Sequence, residues 1–301
     1  MRAFAAAAGC VLVVTQPDRP AKRGQKMLPT PVKNLALELD IPTLEPESLK
    51  DFADALGTAK PDLVVVASYG KIVPQTILDL APLGALNIHP SLLPLYRGAT
   101  PLQAQLRDGV TTGGVSIILM DAGMDTGDIV LQERRDIAPD ETYGELHDRF
   151  AALGAEMLAQ ACADLGAGTL VRTPQRGLAS DEAIAATLTR PLRKEDLELD
   201  WNWPAERIVN FVRSLSPIPG ARAELAGERV KILRASVYRD GWRMTPGSDG
   251  PPGSLWFATE GAGIVTTGDG QLAVQRLVPP SRPPMDGAAF ALAKFLKAAA
   301  Q

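Results

Sequence analysis

The feature that most restricts the fold of this chain is the run Asp62–Ala67, DLVVVA, which is apolar at every position after its first. A strand that is apolar on both faces belongs in a sheet covered by helices on both sides. Val11–Val14, Ala85–His89 and Gly114–Met120 (GVSIILM) repeat the pattern. Between these runs lie segments with helical spacing. Pro31–Leu39 places Val32, Leu35, Ala36 and Leu39 on one face, and Leu49–Leu56 and Thr100–Leu106 behave alike. Pro74–Leu80 opens on proline, which suits a helix N-terminus. A short strand is expected at Pro42–Leu44, a more polar edge strand at Ile129–Ile137 and a long helix at Tyr143–Leu165. Repeated strand–helix–strand units predict an α/β, Rossmann-like domain with a mostly parallel sheet.

The pattern changes near residue 173. Thr173–Ser180 is polar and aperiodic, so it reads as the start of a linker. After a helix at Pro204–Leu215 come short strands separated by Gly and Pro: Ala221–Leu225, Arg229–Val237, Gly253–Ala258, Gly263–Thr267 and Gln271–Val278. These predict a small OB-like β-barrel. The expected organisation is a catalytic domain over 1–173, a linker over 174–187 and a C-terminal barrel over 188–301, and 301 residues suit two domains.

Composition narrows the chemistry. The only cysteines are Cys10 and Cys162 and the only histidines His89 and His147. A disulfide scaffold and a zinc site built on Cys or several His are thereby excluded, and no metal is expected. No run reaches the roughly 18 to 20 apolar residues of a membrane span. The opening MRAFAAAAGCVLVV runs into Thr15–Pro17 without a small-residue cleavage pattern. It reads as a helix end at Met1–Gly9 and a buried strand rather than a signal peptide. A cytoplasmic protein with no membrane partner is expected. Residues 202–301 hold 12 Lys+Arg against 8 Asp+Glu, leaving 19 against 27 for the rest. A basic C-terminal part on an acidic body suits a polyanion partner, and ordinary surface variation fits it as well.

Two segments carry candidate chemistry. Asn87–Pro101, NIHPSLLPLYRGATP, starts at the C-terminal end of an expected strand, where open α/β sheets place ligands. Asn87 and His89 are two apart and share one side of that strand. Asp121–Asp128, DAGMDTGD, follows GVSIILM as a sharply turned acidic loop. A carboxylate here beside His89 makes an acid–base pair, and Asn87 can donate to a developing oxyanion. With no Ser or Cys nucleophile in the set, these residues suit attack by an external nucleophile on a carbonyl. Capping and stitching of loops is the structural alternative. A third segment, Asp18–Lys33, holds Arg19, Lys22, Arg23, Lys26 and Lys33 against one acid. Its prolines and glycine predict a mobile loop suited to phosphate contacts, or simply a solvated one.

NIHPSLLPLYRGATP followed by MDAGMDTGD resembles the signature of the folate-dependent formyltransferases. With Thr15–Gln25 (TQPDRPAKRGQ) and the C-terminal β-domain, the chain is similar to the branch of that family acting on methionyl-tRNA. The resemblance covers nearly the whole chain. It implies that Asn87, His89 and Asp125 are the catalytic trio and that Ser91, Leu92, Leu93 and Pro94 line the folate site. It implies that Arg19, Lys22, Arg23 and Lys26 contact initiator methionyl-tRNA, with Arg23 matching the family's key arginine. The implied co-substrate is 10-formyltetrahydrofolate, the implied working form a monomer. A protonated His89 and Asn87 would stabilise the oxyanion, with Asp125 holding His89 charged. Three alternatives stay open: transfer to a sugar-nucleotide amine, hydrolysis of the formyl donor, and a non-catalytic RNA-binding protein. The family's opening strand and Gly-Thr-Pro turn have no counterpart here, so a truncated catalytic domain is expected. The sheet should then show a gap, or an abnormal direct pairing, between Val11–Val14 and Asp62–Ala67.

Overall fold

A computed structural model describes residues 2, 5, 9–21, 26–49, 53–239, 250–257 and 262–299. The chain forms two compact units. One comprises 1–99, 114–135 and 150–188, the other 100–113, 136–149 and 189–301.

The first unit begins with β1 (Val13–Val14), which pairs in parallel with β4 (Thr43–Leu44). Between them lie β2 (Arg19–Ala21), β3 (Lys26–Leu28) and helix α1 (Pro31–Glu38). Thr30 caps α1 by accepting from Lys33 N–H, and Pro31 supplies the fixed first φ. β2 and β3 form an antiparallel ribbon with Arg19 opposite Leu28 and Ala21 opposite Lys26. The basic segment expected as a mobile loop therefore has ordered arms. A two-stranded ribbon has only edge strands, where Pro20 is tolerated. Lys33, counted among its free charges, is held by Asp18 at 2.9 Å and Glu45 at 2.7 Å.

Helix α2 (Ala53–Thr58), β5 (Val64–Val66), helix α3 (Gln75–Leu78), β6 (Ala85–His89), helix α4 (Pro101–Arg107), β7 (Thr112–Leu119) and β8 (Asp128–Asp136) follow in the chain, α4 belonging to the second unit. The expected helix at Leu49–Leu56 begins at residue 53, with 50–52 outside the described residues. The strands form one sheet in the order β5-β6-β7-β8. β5 and β6 are parallel. β6 and β7 are antiparallel, with His89 opposite Ser116 and Leu86 opposite Leu119. The sheet is thus mixed. Although α4 lies between β6 and β7, that connection begins and ends at the same end of β6, so it is no crossover. Among the described residues β1 pairs only with β4 and does not join β5. The gap expected between the Val11–Val14 and Asp62–Ala67 segments is present. The flanking apolar side chains still cluster: Leu49, Leu56 and Ile77 pack with Leu12, Val14 and Tyr69.

Helix α5 (Tyr143–Ala167) supplies Phe150, Leu153, Met157, Leu158 and Ala161 to the interior, the three-and-four spacing of a packed face. A β-carbon at Gly154 would press on Ile88, so glycine permits the helix to approach β6. Residues 174–187 are structured as well. Asp181–Ala186 forms helix α6, capped by Ser180 accepting from Ala183 N–H.

In the second unit, helix α7 (Ala205–Leu215) buries Ile208, Phe211, Val212 and Leu215 along one stripe. The stripe packs on an antiparallel sheet of β9 (Ala221–Leu225), β10 (Glu228–Val237), β11 (Leu255–Phe257), β12 (Gly263–Thr266), β13 (Gln271–Val278) and β14 (Met285–Asp286). The order is β11-β12-β13-β10-β9, with β14 added to β13. Register shifts around Arg234 bend β10, and such bulges curl a sheet. The result is a curled OB-like half-barrel. The alanine-rich end forms helix α8 (Gly287–Ala299), which places Phe290 in the core. No helix among the described residues is long and apolar enough to cross a membrane.

Candidate active site

β6 ends in alternating residues that face one carboxylate. Asn87 Nδ2 lies 3.4 Å from Asp125 Oδ1, and His89 Nδ1 lies 3.6 Å from Asp125 Oδ2. The three residues singled out from the sequence are therefore brought together. The His89–Asp125 separation is too long for a hydrogen bond.

The loop after β6 folds back over the histidine. His89 Nε2 lies 2.9 Å from the Tyr96 carbonyl. A carbonyl only accepts, so Nε2 carries the proton. Two residues on, Gly98 N–H donates to Asp125 Oδ2 at 2.8 Å. One short stretch thus fixes both members of the pair. Tyr96 has a φ of +58° and Asp125 one of +57°, so each is held in the left-handed region. Such conformations cost of order 1–3 kcal/mol and persist where surroundings enforce them. His89 is 4% exposed. Burial pushes its imidazole below the ordinary value. The Asp125 carboxylate and the Tyr96 carbonyl pull it up, and Arg97 adds to the lowering. The free site therefore favours a neutral ring.

Ser91, Leu93 and Pro94 are buried and Leu92 partly so. Ser91 Oγ donates to the Leu95 carbonyl at 2.7 Å, and Leu93 packs with Ile118 and Ile129. Ser116 Oγ donates to the Ser91 carbonyl at 2.7 Å, and Gln132 Nε2 donates to the Leu93 carbonyl at 3.0 Å. This segment is the foundation of the loop. Of the basic residues, Arg19 and Lys26 sit on the β2–β3 ribbon, and Lys22 and Arg23 lie outside the described residues. Among the described residues no cluster of His, Cys, Asp or Glu could hold a metal ion.

Sequence reasoning missed Gln175 because it lies in a polar, aperiodic stretch. The side chain is buried, 3% exposed. Its Nε2 donates to the carbonyls of Asp125 at 2.9 Å and Gly127 at 2.8 Å. Its Oε1 accepts from Arg97 Nε at 3.1 Å and Nη2 at 2.7 Å.

The chain is similar to known proteins over most of its length. Residues 2–162 match the family model described as formyl transferase, and 191–294 match that of the formyl transferase C-terminal domain. A methionyl-tRNA formyltransferase of Pseudomonas paraeruginosa is 43% identical over 91% of this chain and 85% of its own. One from Syntrophus aciditrophicus is 44% identical over 87% of this chain and 81% of its own. Among solved structures, HypX from Aquifex aeolicus in complex with tetrahydrofolic acid shares the fold at a TM-score of 0.62. It is 18% identical, and the match covers 87% of this chain and 44% of that longer one.

Proposed function

The chain belongs to the formyl transferase family, and from that premise we propose how the cluster on β6 transfers a formyl group. The acceptor is the α-amino group of methionyl-tRNA, and the product, N-formylmethionyl-tRNA, serves translation initiation. The proposed donor is 10-formyltetrahydrofolate, and the proposed working form is a cytoplasmic monomer acting on the initiator tRNA.

The convergence of Asn87, His89 and Asp125 carries the reading. The amine attacks the formyl carbon, the new C–N bond forms, and the bond from that carbon to the folate nitrogen breaks. The amine gives up one proton, which finishes on the leaving nitrogen. Asn87 Nδ2–H and His89 Nε2–H are neutral donors suited to an oxygen that becomes negative during attack. His89 Nε2 exchanges its Tyr96 carbonyl partner for that oxygen. Burial disfavours the imidazolium assigned to His89 from sequence. His89 therefore serves the oxygen as a neutral ring through Nε2–H, and the only proton in transit is the one the amine gives up. Asp125 orients the ring and, directly or through water, accepts the amine proton on its way. Ser91–Pro94 shape the folate side. Arg19, Lys22, Arg23 and Lys26 take phosphates of the tRNA.

The test supplies methionyl-tRNA and 10-formyltetrahydrofolate and measures formyl-methionine released from the tRNA. The wild-type protein forms it, and a sugar-nucleotide amine offered instead is not formylated. His89→Ala loses roughly 10² to 10⁴-fold in turnover while folding normally. Near-normal turnover in that variant defeats the proposed roles.

A further inference from the structure

We infer that Gln175 is a positioning residue for the transfer reaction, holding the Asp125 loop in the only register that lets its carboxylate face His89. The inference rests on the role proposed for Asp125. The loop Asp121–Asp128 is short, acidic and left-handed at Asp125, so its conformation needs external restraint. Local bonds are made by side chains and by one N–H: Thr126 Oγ1 and Gly123 N–H both donate to Asp121. The Asp125 and Gly127 carbonyls instead bond to Gln175, about fifty residues downstream.

The chain delivers Gln175 by strand pairing. Thr173 and Ile129 form an isolated antiparallel bridge, exchanging N–H···O bonds of 2.9 Å in both directions. Continuing that register by two residues sets Gln175 opposite Gly127. Only glycine fits at 127 in this conformation, because a β-carbon there would overlap the Leu119 carbonyl. The other end of the amide is fixed by both Arg97 nitrogens. Arg97 lies between Tyr96, whose carbonyl meets His89, and Gly98, whose N–H meets Asp125. One amide therefore ties together the two loops that bear the acid and cover the base. Its carbonyl oxygen reads Arg97 and its NH₂ reads the Asp125 loop, an assignment fixed because guanidinium only donates and carbonyls only accept.

Two near-isosteric variants separate the two ends. Gln175→Glu keeps an acceptor for Arg97 but turns an oxygen onto the two carbonyls. Gln175→Met loses both ends. Gln175→Asn keeps the chemistry on a shorter stem and serves if the methionine variant fails to fold. For each variant, kcat, both KM values and thermal unfolding are measured, alone and with Asp125→Asn. The expected result is a kcat loss of about 10 to 100-fold in Gln175→Glu and Gln175→Met, from a displaced reacting group. KM for donor and acceptor should change less than about threefold, and Gln175→Asn should fall between wild type and Gln175→Glu. In the Asp125→Asn background the same substitutions should cost less than about threefold, since residues acting through one group are not additive. Wild-type kcat in Gln175→Glu overturns the inference, showing that the Arg97 contact alone matters. Full losses persisting in the Asp125→Asn background overturn it too, because Gln175 then acts other than through Asp125. A near-normal Asp125→Asn enzyme would instead sink the proposed trio, whatever Gln175 does.

Discussion

The reacting cluster and the basic surface of the barrel use polar residues in opposite ways. Asn87, His89 and Asp125 converge, with His89 buried and Asp125 shielded, and each is fixed by groups from distant parts of the chain. The barrel's arginines are exposed or half exposed and engage nearby carboxylates one by one. Arg229 pairs with Glu198 and, at 3.9 Å, with Glu224 directly across the β9–β10 ladder. Arg234 meets Glu145 at 3.0 Å, and Arg222 lies 3.9 Å from Glu198. At the first, low local dielectric makes an unmatched polar group costly, so partners for His89 and Asp125 are supplied by the protein itself. At the second, each pair is worth about 0–1 kcal/mol and can exchange its carboxylate for a phosphate at little cost. The proposed site for bond making and the proposed face for polyanion contact thus differ less in residue type than in how firmly each charge is already engaged.

Matched glycine substitutions give the largest contrast. Gly127→Ala drives a β-carbon into the Leu119 carbonyl, so the Asp125 loop must move. Turnover should fall by about 100-fold or more, and urea unfolding should register a loss of about 1–3 kcal/mol. Gly227, in the β9–β10 turn, has a φ of +73° and open space around it. Gly227→Ala should cost about 1–2 kcal/mol of backbone strain and leave turnover unchanged. Equal catalytic losses from both would erase the distinction between the regions.

A smaller effect follows from pH. His89 is held below its ordinary value, so the folded state binds its proton less readily than the unfolded chain. Its contribution to stability is complete above the unfolded value near 6.5 and is lost as pH falls toward the folded value. Unfolding free energy measured from pH 7.5 to 5 should decline in the wild type and decline less in His89→Gln. Identical slopes would show that burial does not suppress the charged ring.

The smallest effects should come from the barrel. Arg222→Ala, Arg229→Ala, Lys231→Ala and Arg234→Ala should each change stability by less than about 1 kcal/mol. Each lost phosphate contact should reduce the salt slope of tRNA binding by about 0.9 for a duplex-like site. Titration at several salt concentrations measures it. Unchanged slopes in all four variants would show that these three arginines and Lys231 make no phosphate contacts.

The two regions also differ in how much the sequence disclosed. Asn87, His89 and Asp125 were legible because strand alternation puts 87 and 89 on one side and the acidic loop follows a neighbouring strand. Gln175 was not, since a single bridge at Thr173 leaves no periodic trace and its partners lie some fifty and eighty residues away. The antiparallel β6–β7 pair was hidden by α4, which imitates the helix of a crossover. No element was expected after Val278, although alanine has the highest helix propensity and Phe290 anchors helix α8. The charges of the barrel could be counted, but their pairing depends on ladder register, which composition does not contain. Lys33 is a similar case in the first unit, already engaged by Asp18 and Glu45.

The division of the chain bears on how such enzymes can be recombined. The polypeptide passes between its two units five times, lending 100–113 and 136–149 to the unit that otherwise consists of 189–301. No single crossover point in the gene separates one unit from the other. A chimera joined near residue 188 would give each parent's barrel two segments chosen by the other parent, and a join at residue 162, where the first family match ends, would also exchange Gln175. Lineages that traded tRNA-facing surfaces by recombination would have had to carry those inserts along or readapt them, so surface and chemistry are inherited together.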